Sequence, residues 1–356
     1  MKRAVQPEML TLAREVRGYS GEELASALLI PLADLFRYES GLLPVPGSLL
    51  KKITQVLGYP EAFFFQPEKR YGFSSNCTYQ RKPRSLPLKQ LRSLLARINL
   101  FRIHVSRLML AVDLNSPFGF PSLDIDEFEG DVERIASLVR NMWRLPLGPV
   151  VNLIESVEAA GGVTRHCSFN TTRIDVASQW VPGAPPLFLL NVDLPGEVQR
   201  WSLAHAIGHL IMHRVPTPDM EAEADNFAAG LLMPARELEA HFSPGGRVTL
   251  AALVDLKLAW KVPIVALIQR ARAREIISHS ECTAFLRELD SHGSVASEPG
   301  PIPAEQPRTL RDLIETHQYD LEYNVSDLAH MLSLHEHEVV ECYLSTISSR
   351  SLRRVK

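Results

Sequence analysis

The stretch LAHAIGHLIMH (203–213) restricts what this chain can fold into more than any other. His205 and His209 stand four residues apart, so on a helix they lie on one face, one turn from each other. From there the two imidazoles can grip a single ion. The residues framing them are apolar, and Gly208 leaves room for another element to approach. Shortly downstream, MEAEADNFAAGLLMP (220–234) predicts a second helix carrying Glu221, Glu223 and Asp225.

This pattern has the chemistry of a zinc site. Zinc takes neutral imidazoles and anionic oxygens in a tetrahedral cage, and a His₂Glu set leaves the fourth position open to water. Glu221 and Glu223 are two residues apart, so only one of them can easily ligate. Glu221 has Asp225 one turn further along the same face. Thermolysin-like enzymes carry a similar E-x-x-x-D, in which the Asp orients a ligating His from behind. The sequence therefore favours Glu221 as ligand and Asp225 as the orienting group, with Glu223 as the alternative ligand. His213 extends the series to HxxxHxxxH, but a helix does not easily wrap three such side chains round one ion. A chain with 12 histidines would show an HxxxH by chance; the apolar frame, Gly208 and the acidic helix turn the pair into a metal site. In H-E-x-x-H metallopeptidases the residue after the first His is the glutamate that activates zinc-bound water. Here that position is Ala206.

At 356 residues the chain has room for two or three domains, and 46% hydrophobic with 22% charged residues is a globular balance. Its net charge of −3 excludes a generally basic nucleic-acid binder. Cys77, Cys167, Cys282 and Cys342 form no C-x-x-C pair, which argues against a disulfide framework or a thiolate zinc site. An N-terminal apolar leader and a membrane-length apolar run are both lacking, so a cytoplasmic protein is expected.

Along the chain, residues 1–70 predict a four-helix bundle. Gly18, Gly41 and Gly58 end helices, and Ser20-Gly-Glu-Glu23 forms a capping box. A helix holding Glu-Leu-Ala, a tight turn at Ile30-Pro31 and a helix ending Tyr-Glu-Ser-Gly make a helix-turn-helix layout. Residues 71–125 are expected as a helical connector whose arginines and lysines mostly solvate an exposed face. Residues 126–245 predict helices, then three short strands of a small antiparallel sheet (GVTRHCSF, RIDVASQWV and PLFLLNVD), then the two metal-site helices. A helical extension (246–293), a flexible linker (294–307) and a small helical module (308–356) complete the expectation. The fold class is α+β, mostly helical: a helix-turn-helix bundle plus a zincin-like domain with a small sheet and a helical C-terminal extension.

TLAREVRGYSGEELASALLIPLADLFRYESG resembles the Xre/Cro-type helix-turn-helix. RWSLAHAIGHLIMH followed by EAEADNFAAGLLMP resembles the ImmA/IrrE family of metallopeptidases, whose pattern R-x-x-L-A-H-E-x-G-H is matched from Arg200 except at Ala206. The resemblance spans roughly residues 8 to 292 and is most specific at 200–234. It implies a zinc-dependent endopeptidase regulator that cleaves a protein target such as an Xre-type repressor. It assigns His205, His209 and Glu221 to Zn²⁺, and it makes this chain a catalytically dead Glu-to-Ala form at Ala206. The rival readings are a DNA-binding transcriptional regulator and a pseudo-protease interaction protein, each with a structural or sensing zinc. Asp34 and Arg37 on the candidate recognition helix are the DNA-contact candidates. Residues 1–70 hold nine Lys/Arg against eight Asp/Glu, so DNA binding there is expected to be weak or to need a homodimer.

Overall fold

The computed structural model describes residues 4–72, 76–79, 87–114, 116–241, 248–291 and 298–345. They fall into two units, one drawn from 1–75, 84–114 and 309–356, the other from 76–83 and 115–308.

The first unit begins with α1 (Pro7–Val16), α2 (Gly21–Leu28), α3 (Leu32–Glu39) and α4 (Gly47–Leu57). Ser20 Oγ accepts from the Glu23 amide at 3.1 Å, and Glu23 accepts from the Ser20 amide at 2.7 Å, closing the capping box. Leu29 ends α2 at φ +58°, and Pro31 starts α3. Met9, Leu24, Leu35, Leu50 and Phe63 meet in one core, which Ile103 and Leu108 of α5 (Leu88–Leu108) join. The expected connector helix is thus part of this core. Two of its arginines are turned to internal use: Arg102 donates to the Lys69 carbonyl at 2.5 Å and Arg107 pairs with Glu68 at 2.6 Å. Long basic side chains bury their stems readily when their heads find acceptors.

The second unit holds β1 (Asn76–Tyr79), α6 (Val132–Met142), α7 (Leu153–Ala159), β2 (Val163–Cys167), β3 (Val176–Gln179) and β4 (Leu187–Asn191). The sheet order is β1-β3-β4-β2. The three expected strands are present, but a fourth joins them, and the sheet is mixed: β2 runs parallel to β4, while β3 is antiparallel to β4 and to β1. Strand β4 is buried at every position. Its unbroken apolar run is that of a central strand, and the hairpin partner β3 takes one edge and leaves the other to β2.

After the sheet come α8 (Gly196–Met212), α9 (Met220–Leu232), α10 (Ala235–Glu239), α11 (Leu250–Trp260), α12 (Ile264–Ala273) and α13 (His279–Ser291). Ile135, Phe188, Leu203, Ile207, Phe227, Trp260 and Leu267 share the core. In α8 every residue but Leu210 is buried. A helix buried all round is central, so the polar groups on it need partners inside.

Residues 298–308, expected within or beside a flexible linker, are strapped to this unit by two carboxylates. Glu298 accepts from the Ile264 amide at the start of α12 (2.8 Å) and from Lys257 Nζ (3.1 Å). Lys257 also pairs with Glu197 at 2.6 Å. Glu305 accepts from the amides of Leu153 and Ile154 at 2.7 and 2.9 Å, capping α7, and pairs with Arg200. A Cβ on Gly196 would lie 2.4 Å from the Ile302 carbonyl oxygen, so only glycine lets the strap cross there. Composition alone reads Ser/Pro/Gly/Glu as linker, but these glutamates serve as helix caps and ion-pair partners.

The last described residues form α14 (Thr309–Tyr319), α15 (Val325–Leu332), α16 (Glu336–Val339) and a π-helical turn (Val340–Leu344). Leu313, Leu328, Leu332 and Val339 are buried in the same core as Met9 and Leu24. The expected separate module is therefore part of the first unit. A tail of about 50 residues buries too little by itself. Its design repeats α2–α3: Asn324 and Asp327 form a capping box, and Ser333 ends α15 at φ +54°. Among the described residues no helix is long and apolar enough to cross a membrane.

Candidate metal centre

The site lies where α8 crosses α9. Gly208 sets the approach, since a Cβ there would lie 3.0 Å from the Phe227 ring. This close crossing brings the start of α9 over the histidine face of α8. His205 and His209 are buried, and their Nε2 atoms are 2.8 Å apart. Glu221 faces both, with one oxygen 3.5 Å from His205 Nε2 and the other 3.5 Å from His209 Nε2. Among the described residues these three are the one His/Cys/Asp/Glu group whose ligand atoms gather closely enough for a metal ion, all within 4.8 Å. Zinc–ligand bonds of about 2.0–2.1 Å place tetrahedral donors about 3.3 Å apart. The two nitrogen-to-carboxylate spacings fit that figure, and the nitrogen pair needs only a small opening. The donor set therefore fits Zn²⁺.

The candidates divide cleanly. Asp225 Oδ1 lies 2.8 Å from His205 Nδ1, behind the ring and away from the gathered Nε2 atoms. Glu223, the alternative ligand in the sequence, turns instead to His213, 2.9 Å from its Nε2. Ala206 is fully buried. Asp34 and Arg37 belong to the other unit, where they pair with each other at 3.3 Å on α3.

Electrostatics follow from this packing. Burial pushes the His205 imidazole down, but hydrogen bonds to Asp225 and Glu221, together with their charges, outweigh it and raise its pKa. Hydrogen bonds from His205 and His209 hold the Glu221 carboxyl far below the usual range, against the effect of its partial burial. Burial, then the neighbouring His209, lowers the His213 pKa, although Glu223 opposes this.

His213, unsuited by spacing as a third ligand on one helix, has a different place in the site. His213 caps α8 with φ −107° and ψ 95°, outside helical geometry, and its Nδ1 lies 3.0 Å from His209 Nδ1. The third histidine of HxxxHxxxH is the available signal. The strap residues Glu298 and Glu305 were missed altogether, because nothing local marks a carboxylate that caps a distant helix.

A helix pair presenting two imidazoles and a carboxylate to one point is a candidate metal centre. Residues 157–272 match the family model Peptidase_M78, described as the IrrE N-terminal-like domain. That supports an ImmA/IrrE-type relationship for the part of the chain from the end of α7 through α12. No curated protein and no solved structure matches the chain.

Proposed function

We propose that the second unit is a zinc-dependent, metallopeptidase-type regulatory module that binds a specific protein target, an Xre-type repressor by the family resemblance, and that Ala206 leaves it inactive or nearly so as an endopeptidase. The convergence of His205, His209 and Glu221 carries this reading. Bound zinc would supply a Lewis acid and an acidified water. His205, His209 and Glu221 would hold the ion, and Asp225 fixes the His205 ring. The methyl group of Ala206 cannot take a proton from water or pass it to a leaving amine. General acid–base help is worth about 10²–10⁴-fold, so hydrolysis should be slowed by that order.

The test compares the chain with its Ala206→Glu variant. Both should hold one zinc per chain, and replacing His205 and His209 together should abolish it. The variant should cut a candidate repressor that the parent binds but leaves intact. If the variant folds, retains zinc and binds that partner yet cuts nothing, the peptidase reading fails.

The buried methyl at position 206 also favours a second reading: a pseudo-protease interaction protein whose zinc is structural or sensing. DNA reading through α3 is weakly supported. Its exposed positions are Ala33, Phe36 and Arg37, with Phe36 53% exposed, a poor set for phosphates and base edges. Binding to the protein's own promoter region should be weak; tight binding with a steep salt slope would overturn that view.

A further inference from the structure

We propose that His213 and Glu223 form a positioning pair that fixes the metal-facing tautomer of His209. This rests on the zinc reading above. The chain of contacts starts at a carboxylate, which can only accept. Glu223 Oε2 lies 2.9 Å from His213 Nε2, so that nitrogen carries the proton. In a neutral imidazole the other nitrogen is then an acceptor. His213 Nδ1 therefore accepts across the 3.0 Å contact, and His209 Nδ1 must donate. With Nδ1 committed as the donor to His213, the proton that His209 Nε2 shares with Glu221 in the zinc-free chain is the one that would be given up, leaving the Nε2 lone pair towards the point where the ion would sit.

Helix α9 thus serves both ligand rings from behind. Asp225 reaches His205 directly at 2.8 Å, and Glu223 reaches His209 through His213. The spacing Glu-Ala-Glu-Ala-Asp supplies one ligand and two anchors. The His213 side chain is only 3% exposed and Glu223 23%, so the pair is held largely away from water. Because His213 lies behind the His209 ring, it faces away from the three converging donors. It therefore neither ligates nor replaces the missing base at position 206.

The test measures zinc affinity of the full chain by competition with a chromophoric chelator, together with the visible spectrum of the cobalt(II) form. Losing a hydrogen-bond partner behind a ligand histidine typically costs about 10–100-fold in metal affinity. His213→Ala and Glu223→Ala should each weaken zinc by that order, and the double variant should be little worse than either. His213→Asn keeps an acceptor near the Nδ1 position and should recover part of the loss. Cobalt spectra should keep the parent's bands, because the ligands are unchanged. Parental affinity in folded His213→Ala and Glu223→Ala overturns the proposal, as does full additivity of the two losses. Loss of the bound metal or a changed cobalt spectrum in both His213→Ala and His213→Asn makes His213 a ligand and overturns it too. Failure of the parent chain to bind zinc would instead sink the reading beneath it.

Discussion

His205 is the residue on which the behaviour of the site with pH turns. Zinc takes the neutral imidazole, so protons compete with the metal. Asp225 and Glu221 raise the His205 pKa against its burial, so that competition sets in at higher pH than for an ordinary histidine near about 6.5. For the zinc-free chain the signs run in opposite directions. The raised His205 contributes stability that is present below its unfolded pKa and lost as pH rises through the folded one. The lowered Glu221 contributes stability that is present above its unfolded pKa and lost as pH falls towards its folded one. His205 and Glu221 therefore both contribute to the zinc-free chain in mildly acidic solution, with the lowered His213 acting against them, and the gain from zinc at this pair should grow from there towards neutral and alkaline pH. Melting temperatures with chelator and with excess zinc, from about pH 5 to 8, check this against the ordinary imidazole value. A zinc-induced rise in melting temperature that is flat across that range would contradict the His205 assignment. The residue scale was also the most legible in the sequence: the i, i+4 histidines and the Glu221/Asp225 spacing are local, and α-helical geometry converts spacing into direction.

At the scale of elements, the α8–α9 crossing makes the site. Two helices approach this closely only where a side chain is missing, and Gly208 under Phe227 is such a place. Gly208→Ala should drive a methyl into the Phe227 side chain, at a cost of about 1–3 kcal/mol as overpacking. Because α9 carries Glu221, displacing it should also weaken zinc. Adding Phe227→Leu should return part of both losses, since neighbours in contact are not additive. Chemical denaturation and zinc titration of the two variants test this; additive losses would mean that the helices do not meet through this pair. Helices were read well from sequence because caps and positive-φ residues mark their ends locally, as at Ser20 and Gly58. The sheet was read less well. Apolar runs locate β2, β3 and β4 but do not say which edge of β4 each partner takes, so the parallel β2–β4 pair stayed hidden. The four residues of β1, NCTY, carry no alternation long enough to announce a strand.

At the scale of the whole chain, the linker-like segment before α14 acts as a fastening within the second unit. Its composition reads as a flexible linker, and the hydrogen bonds argue otherwise. Cutting after Pro301 removes Glu305, which leaves the first amides of α7 without their acceptor and Arg200, with a side chain only 2% exposed, without its carboxylate. It also takes Leu313, Leu328 and Leu332 out of the core of the first unit. Glu305→Ala isolates the first of these effects. Removing one partner of a buried ion pair typically costs about 3–5 kcal/mol, and a unit of this size loses about 2–4 °C in Tm per kcal/mol. The substitution should therefore lower the unfolding midpoint of the second unit by roughly 10 °C. Glu305→Gln can still accept from the α7 amides and should fall in between. Zinc stoichiometry should persist in both variants at low temperature, because Arg200 lies more than a helical turn from His205 on α8. Truncation after Pro301 should be worse than Glu305→Ala and should destabilise both units. If calorimetry of Glu305→Ala shows a midpoint within a degree or two of the parent, the strap is a passive passenger and the segment is a linker after all.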